Sequence, residues 1–243
     1  MSSRMLRSGK PEEYDARESL QINGEEMGRG KYILVRHRRS QVLYFEKKYE
    51  STYERVSAAK QEVEIMLKAQ DHIHINKVWD YFIDTEGVHA SIWLDYCYEG
   101  TLSHLIKAHA NQRVPVHERA CSTFFQQIAL AVDYLHRGNG APDWQPIIHC
   151  DINPDIVWLK RLRPDWPPFV QLSGFGCAAW KNHPYLEEHQ KGRREFWPPE
   201  YPNNDEHSDV YQLGQTMACL LTLSLGPPES LQDLEFKTGR EHE

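Results

Sequence analysis

Several things are scarce in this 243-residue chain, and each absence removes a class of protein. Cysteine is sparse and odd in number: five, scattered, with no CxxC pair. That excludes a disulfide framework and fits reduced intracellular thiols. Long apolar runs are missing; the longest, Met217–Leu225, is interrupted by Thr222 and Ser224 and falls far short of the ~20 residues that cross a bilayer. The N-terminus lacks the apolar stretch of a signal peptide. There is no basic excess either: 28 Lys and Arg face 35 Asp and Glu, for a net charge of −7. Nucleic acid, which needs a concentrated basic surface, is not an expected partner, and the short basic turn Arg36–Arg39 reads as solvated. The 13 histidines never pair with Cys or carboxylate at metal-ligand spacing; His72 and His74 sit two apart in a turn, and no zinc site is expected. There are no internal repeats. A soluble intracellular protein follows, cytoplasmic or nuclear, with no membrane.

What is present is an ordinary globular composition, 40% apolar and 26% charged, long enough for one large domain or two small ones. The first twenty residues are polar and read as a flexible leader. From Met27 to Tyr49, β-branched and aromatic residues flank a basic turn at Arg36–Ser40, the pattern of a hairpin. Ser51 and Glu54 form a capping box, followed by Val56, Ala59, Val63, Met66 and Leu67 at helical spacing, which predicts a helix to about Gln70. Short strands are expected over 77–83 and 89–96, around the turn Asp84–Gly87. Cys121, Phe124, Phe125, Ile128, Val132 and Leu135 form a helical stripe. After a Gly- and Pro-rich loop, Gly138–Pro146, come a strand pair around Ile147–Leu159 and Phe169–Leu172 and a helix from Ser208 to about Leu223, stopped by Gly226-Pro227-Pro228. Glu229–Phe236 offers one more short helix. A β-rich half with one helix, then a helical half, gives an α+β layout of two lobes.

Several segments resemble the protein-kinase signature set in its order and spacing. Ile148 to Leu159, IHCDINPDIVWL, resembles the catalytic loop IHRDLKPENILL. Leu172 to Gly176, LSGFG, resembles the strand ending in DFG, and Gly192 to Glu200, GRREFWPPE, aligns without gaps on GTPEYMAPE. Ser208 to Gly214 is similar to the start of the large C-lobe helix. Gly28 to Val35 resembles the phosphate loop GxGxxGxV, Glu62 the αC glutamate, and Asp95-Tyr96-Cys97 the hinge. Pro154 places the resemblance nearer the serine/threonine branch.

The resemblance implies a bilobal protein-kinase-like fold: N-lobe about 21–95, hinge about 95–98, and C-lobe about 99–243, shorter than the family's and hence truncated. Its nucleotide positions fall on Gly28, Gly30, Val35, Lys47, Glu62, Leu94, Asp95 and Cys97, and its proton acceptor on Asp151. Either Lys47 or Lys48 serves as the phosphate lysine. Kinase chemistry also needs Mg²⁺ held by oxygen donors. The family's two ligand positions are Gly174 and Ile156 here, so no metal is expected. Phe45 replaces the small residue that makes room for adenine, Trp158 replaces a leucine beneath it, and Ile33 replaces the third glycine. Cys150 replaces the arginine that receives an activation-loop phosphate, and Cys177 to Trp197 holds no serine or threonine. Asp151 reads as general base or as a loop-ordering carboxylate, and Lys47 with Glu62 as a catalytic or a structural pair. Asp209 matches the residue that braces the catalytic loop. The favoured expectation is a pseudokinase, an interaction or scaffold module with a protein partner and no cofactor. The alternatives are an atypical ATP- and Mg²⁺-dependent serine/threonine kinase using Asp155 or Ser173 as displaced ligands, and a truncated relic. A docking surface is expected over Met217, Leu220, Leu221, Leu223 and Leu225, as apolar residues lacking cover.

Overall fold

The computed structural model describes residues 9–18, 31–50, 53–84, 89–161, 168–184 and 192–228. The chain forms two compact units. One gathers Met1–Asp71, Asn76–Tyr96 and Gly174–Gly176; the other gathers His72–Ile75, Cys97–Ser173 and Cys177–Glu243. Among the described residues, no helix is long and apolar enough to cross a membrane.

The first unit is built on an antiparallel sheet of β1 (Tyr14–Glu18), β2 (Lys31–His37), β3 (Leu43–Glu50), β4 (Val78–Asp84) and β5 (His89–Asp95), in the order β1-β2-β3-β5-β4. Helix α1 (Tyr53–Ala69) lies against β3, β4 and β5. Its buried side chains Val56, Ala59, Val63 and Met66 recur at the spacing that puts them on one face, each large one contributing about 1.5–3 kcal/mol by burial. The hairpin of β2 and β3 closes around residues 38–42, with Gln41 at φ 59°. The capping box at Ser51 lies outside the described residues, as do Gly28, Gly30 and most of the turn Asp84–Gly87.

The leader expected over 1–20 needs correction, because Tyr14–Glu18 is a strand paired with β2. The segment YDARE carries few strand-forming residues, and its anchors are tertiary. The Tyr14 ring stacks on Trp93 at 4.2 Å, and its hydroxyl donates to Asp80 at 3.0 Å. Those contacts override a weak local propensity.

The second unit contains α2 (Leu102–Gln112), α3 (Glu118–Arg137), α4 (Glu206–Thr222) and two small antiparallel ladders. One ladder pairs β6 (Ile147–Ile148) with β9 (Ala179–Trp180), the other β7 (Val157–Lys160) with β8 (Phe169–Leu172). Cys121, Phe124, Ile128, Val132 and Leu135 form the buried stripe of α3, whereas Phe125 faces solvent. Helix α4 packs on α3 and α2 and ends at Leu223, which takes the left-handed conformation at φ 55°. That packing corrects the expected docking surface: Leu220 is 0% exposed and Met217 is buried, Leu221 and Leu223 are half-buried, and Leu225 alone is exposed. The side of α4 expected to lack cover is in large part covered by this unit's own helices. The helix expected at Glu229–Phe236 lies outside the described residues.

Candidate functional site

In the first unit, Lys47 on β3 and Glu62 on α1 form an ion pair, each 1% exposed. The ammonium donates to both carboxylate oxygens, at 2.9 and 2.8 Å. Tyr49, two residues on and therefore on the same face of β3, donates its hydroxyl to Glu62. The rings of Tyr32 and Tyr49 lie 5.6 and 5.1 Å from the Lys47 nitrogen, so the cation also meets two aromatic rings. Burial is the largest single influence and opposes the charged ammonium, but Glu62 together with Tyr32 and Tyr49 outweighs it and holds the lysine pKa well above its usual value. Burial, reinforced by the same carboxylate, pushes the Tyr49 phenol up as well. Gly176 leaves room for this cluster, since a Cβ there would lie 3.1 Å from the lysine nitrogen. Lys48 points to the other face, 3.8 Å from Glu46. It is Lys47, not Lys48, that pairs with Glu62.

The register of β2 on β3 places the remaining first-unit candidates. Tyr32 lies opposite Lys47 and Leu34 opposite Phe45, so these four share a face. Val35 lies opposite Tyr44, and strand alternation turns it to the other face. The structure therefore does not bring Val35 to Lys47, contrary to the reading from the glycine spacing; Tyr32 occupies that place. Leu94 lies opposite Phe45 on β5, and Asp95 opposite Tyr44. Phe45 is 2% exposed and packs edge-on to Tyr96 at 5.0 Å. The Asp95 backbone is held by Asn76, whose amide oxygen accepts from Asp95 N–H at 3.1 Å. Gly174, at φ 76°, supplies no side chain, and Phe175 beside it is buried.

In the second unit, the segment from His149 to Ile156 is pinned by α4. Asp209, fully buried, accepts from the backbone N–H groups of His149 at 2.8 Å and Cys150 at 2.9 Å, and lies 2.9 Å from His136 Nε2. Gln212 accepts from Ile152 N–H at 2.9 Å and donates to the Cys150 carbonyl at 3.2 Å, while Thr216 donates to the Ile152 carbonyl at 3.3 Å. Capping polar groups on a buried loop in this way stabilises a backbone that would otherwise lose its water. The loop is strained at one place: Cys150 sits at φ 65° without being glycine.

Asp151 is buried, and its Oδ1 accepts from Asn153 Nδ2 and from Arg193 N–H, both at 3.0 Å. Gly192 lies so close that a Cβ would come within 2.7 Å of that oxygen. Arg193 pairs its guanidinium with Asp155 and Glu195 and lies 5.5 Å from the Phe196 ring. Ile156 is a buried hydrocarbon and Trp158 is 2% exposed, opposite Gln171. Cys97 donates its thiol to the same Gln171 at 3.4 Å. His72 stacks on Tyr134 at 5.0 Å, and His74 Nδ1 lies 3.0 Å from the Val170 carbonyl. Burial lowers both imidazole pKa values, His74 lowering that of His72 further.

Tyr32, Tyr49, Gln212 and Arg193 were not among the residues singled out from the sequence. Tyr49 was findable, being two residues beyond Lys47 on an alternating strand. The other three depend on pairing register or on contacts across more than forty residues, which leave no local mark.

The comparisons with known proteins agree with this architecture. The sequence profile described as the protein kinase domain matches residues 22–237. The chain is 26% identical over 224 residues to an Aurora kinase of Saccharomyces cerevisiae, covering 88% of this chain and 56% of that protein. It is 29% identical over 181 residues to the serine/threonine-protein kinase ULK3 of Homo sapiens, 72% of this chain and 34% of the relative. The serine/threonine-protein kinase Nek2 of Homo sapiens is 28% identical over 169 residues, 67% and 36% respectively. The chain thus spans about half, or about a third, of the length of the relatives it matches. With two units built as described and the family profile running through both, the chain belongs to the protein kinase domain family.

Proposed function

We propose that this kinase domain does not transfer phosphoryl groups efficiently and acts as an interaction or scaffold module. The observation that carries the reading is the donor chemistry at the two family metal positions. Mg²⁺ takes hard oxygen ligands, and here those positions are Gly174, with no side chain, and Ile156, a buried hydrocarbon. These residues do not fit the ion. Two further features support the same reading. The phosphate lysine position, Lys47, is 1% exposed and already neutralised by Glu62. The proton-acceptor position, Asp151, is buried with one oxygen committed to Arg193 N–H and Asn153. What such a domain offers is a folded surface, and its output is contact with a protein partner.

The second reading is a kinase that recruits Mg²⁺ through displaced ligands. Asp155 is engaged by the Arg193 guanidinium, which weighs against it. On the other side stands the Ser173 hydroxyl, buried and without a hydrogen-bond partner among the described residues. Thermal unfolding with and without Mg²⁺-ATP decides between them. A ligand that binds the folded state raises the melting temperature with concentration. No shift is expected at millimolar nucleotide; a rise of several degrees would sink the proposal.

A further inference from the structure

We propose that Cys150 and Cys177 form a reversible disulfide on mild oxidation, tying the loop that carries Asp151 to the segment that follows Phe175 and Gly176. Among the described residues no cysteine is joined in a disulfide, and Cys150 and Cys177 pack together within the second unit. Ile147 lies opposite Trp180 and Ile148 opposite Ala179 in the antiparallel β6–β9 ladder. Beyond that ladder the backbone leaves the extended form on both sides, Cys150 at φ 65° and Cys177 at the end of the 3-10 turn Phe175–Cys177. Both belong to one apolar cluster, in which Ile148, Cys150 and Ala179 are buried and Cys177 packs against them. Gly192 touches both residues: its N–H donates to Cys177 Sγ at 3.2 Å, and a Cβ on it would fall 2.6 Å from the Cys150 carbonyl oxygen.

The environment also separates the two roles such a bridge requires. Cys177 is half-buried, so an oxidant reaches it before Cys150, and its sulfur accepts a backbone N–H. Cys150 is 1% exposed and its backbone is fixed by Asp209 and Gln212, which makes it the resolving thiol. With a hydroperoxide as oxidant, the Cys177 thiolate attacks one peroxide oxygen, giving a sulfenic acid and releasing hydroxide, or alkoxide from an alkyl peroxide. The Cys150 sulfur then attacks the Cys177 sulfur and expels hydroxide, which leaves as water with the Cys150 proton. For hydrogen peroxide, two thiols and one peroxide give one S–S bond and two waters; the sulfurs lose two electrons and the peroxide gains them. The step needs neither nucleotide nor turnover, so it stands whether or not the scaffold reading does.

The test is peptide mapping of the folded chain after brief exposure to equimolar hydrogen peroxide, with free thiols blocked before a non-reducing digest. A linked peptide joining Cys150 to Cys177, lost on treatment with dithiothreitol, is the expected product. Because Cys150 is buried, Cys150→Ser risks misfolding; Cys177→Ser, at a half-buried site, should keep the wild-type circular dichroism and yield no linked peptide. Cysteine 177 passing to sulfinic acid without a linked peptide would overturn the proposal. So would linkage of either residue to Cys97, Cys121 or Cys219.

Discussion

Lys47 carries a buried charge on which the fold itself depends, whatever it does toward a ligand. Its charge lies inside the first unit with Glu62 as counter-ion and two tyrosine rings beside it. Removing one partner of a buried ion pair strands the other, at a cost of about 3–5 kcal/mol, more than the pair itself contributes. Lys47→Met should therefore lower the unfolding free energy by about that amount in urea titration, and Glu62→Gln by less, since an amide can still accept from Lys47. Tyr49→Phe removes one hydroxyl hydrogen bond, worth about 1–2 kcal/mol. A Lys47→Met variant that unfolds at the wild-type midpoint would mean the pair is dispensable to the fold. Lys47 and Glu62 were legible in the sequence because a strand lysine and a helix glutamate occur at the family's positions. Val35 misled because its assignment rested on glycine spacing across Gly28 and Gly30. In a strand, a one-residue difference in pairing turns every side chain to the other face. Only the register, with Tyr32 opposite Lys47, reveals which face Val35 takes.

At the scale of elements, α4 is a scaffold as much as a core helix. Asp209, Gln212 and Thr216 recur at helical spacing and deliver five hydrogen bonds to backbone groups of residues 149–152. Asp209 does the most, because it satisfies two buried N–H donors with its two oxygens. Asp209→Asn turns one of those acceptors into a donor facing a donor. The expected loss is about 1–3 kcal/mol, the cost of a buried unsatisfied group. Thr216→Val, which removes a single longer bond of 3.3 Å, should cost under about 1 kcal/mol. Equal losses in chemical denaturation would contradict the unequal roles. Elements with strong periodicity were readable: α3 from its apolar stripe, α1 from Val56 to Met66, the β2–β3 hairpin from its basic turn. Helix α2 was not singled out, because within it only Leu102, Ser103 and Ile106 are buried and its start rests on Thr101 with His104. Strand β1 was missed for a related reason. Its stability comes from the Tyr14 stack on Trp93, a contact across nearly eighty residues that composition cannot register.

At the scale of the whole molecule, catalysis by this fold draws on residues far apart in sequence, so on the scaffold reading proposed above activity would not be recovered at one position. Gly174→Asp with Ile156→Asn would supply both oxygen ligands that the family uses for Mg²⁺. Yet Phe45, 2% exposed, would still stand where the family has a small residue, and Lys47 would still be paired to Glu62 with Tyr49 donating to the same carboxylate. Cys150 would still lack the arginine charge. The double variant is therefore expected to release no ADP above background in a coupled assay, and its melting temperature is expected to remain unmoved by Mg²⁺-ATP. Carrying Phe45→Ala in addition removes about 3–5 kcal/mol of buried packing, so any gain in nucleotide binding would come with a lower melting temperature in the free protein. Turnover from Gly174→Asp and Ile156→Asn alone would show that the side chains around Lys47 and Phe45 are no obstacle, and that the metal ligands were all this kinase domain lacked.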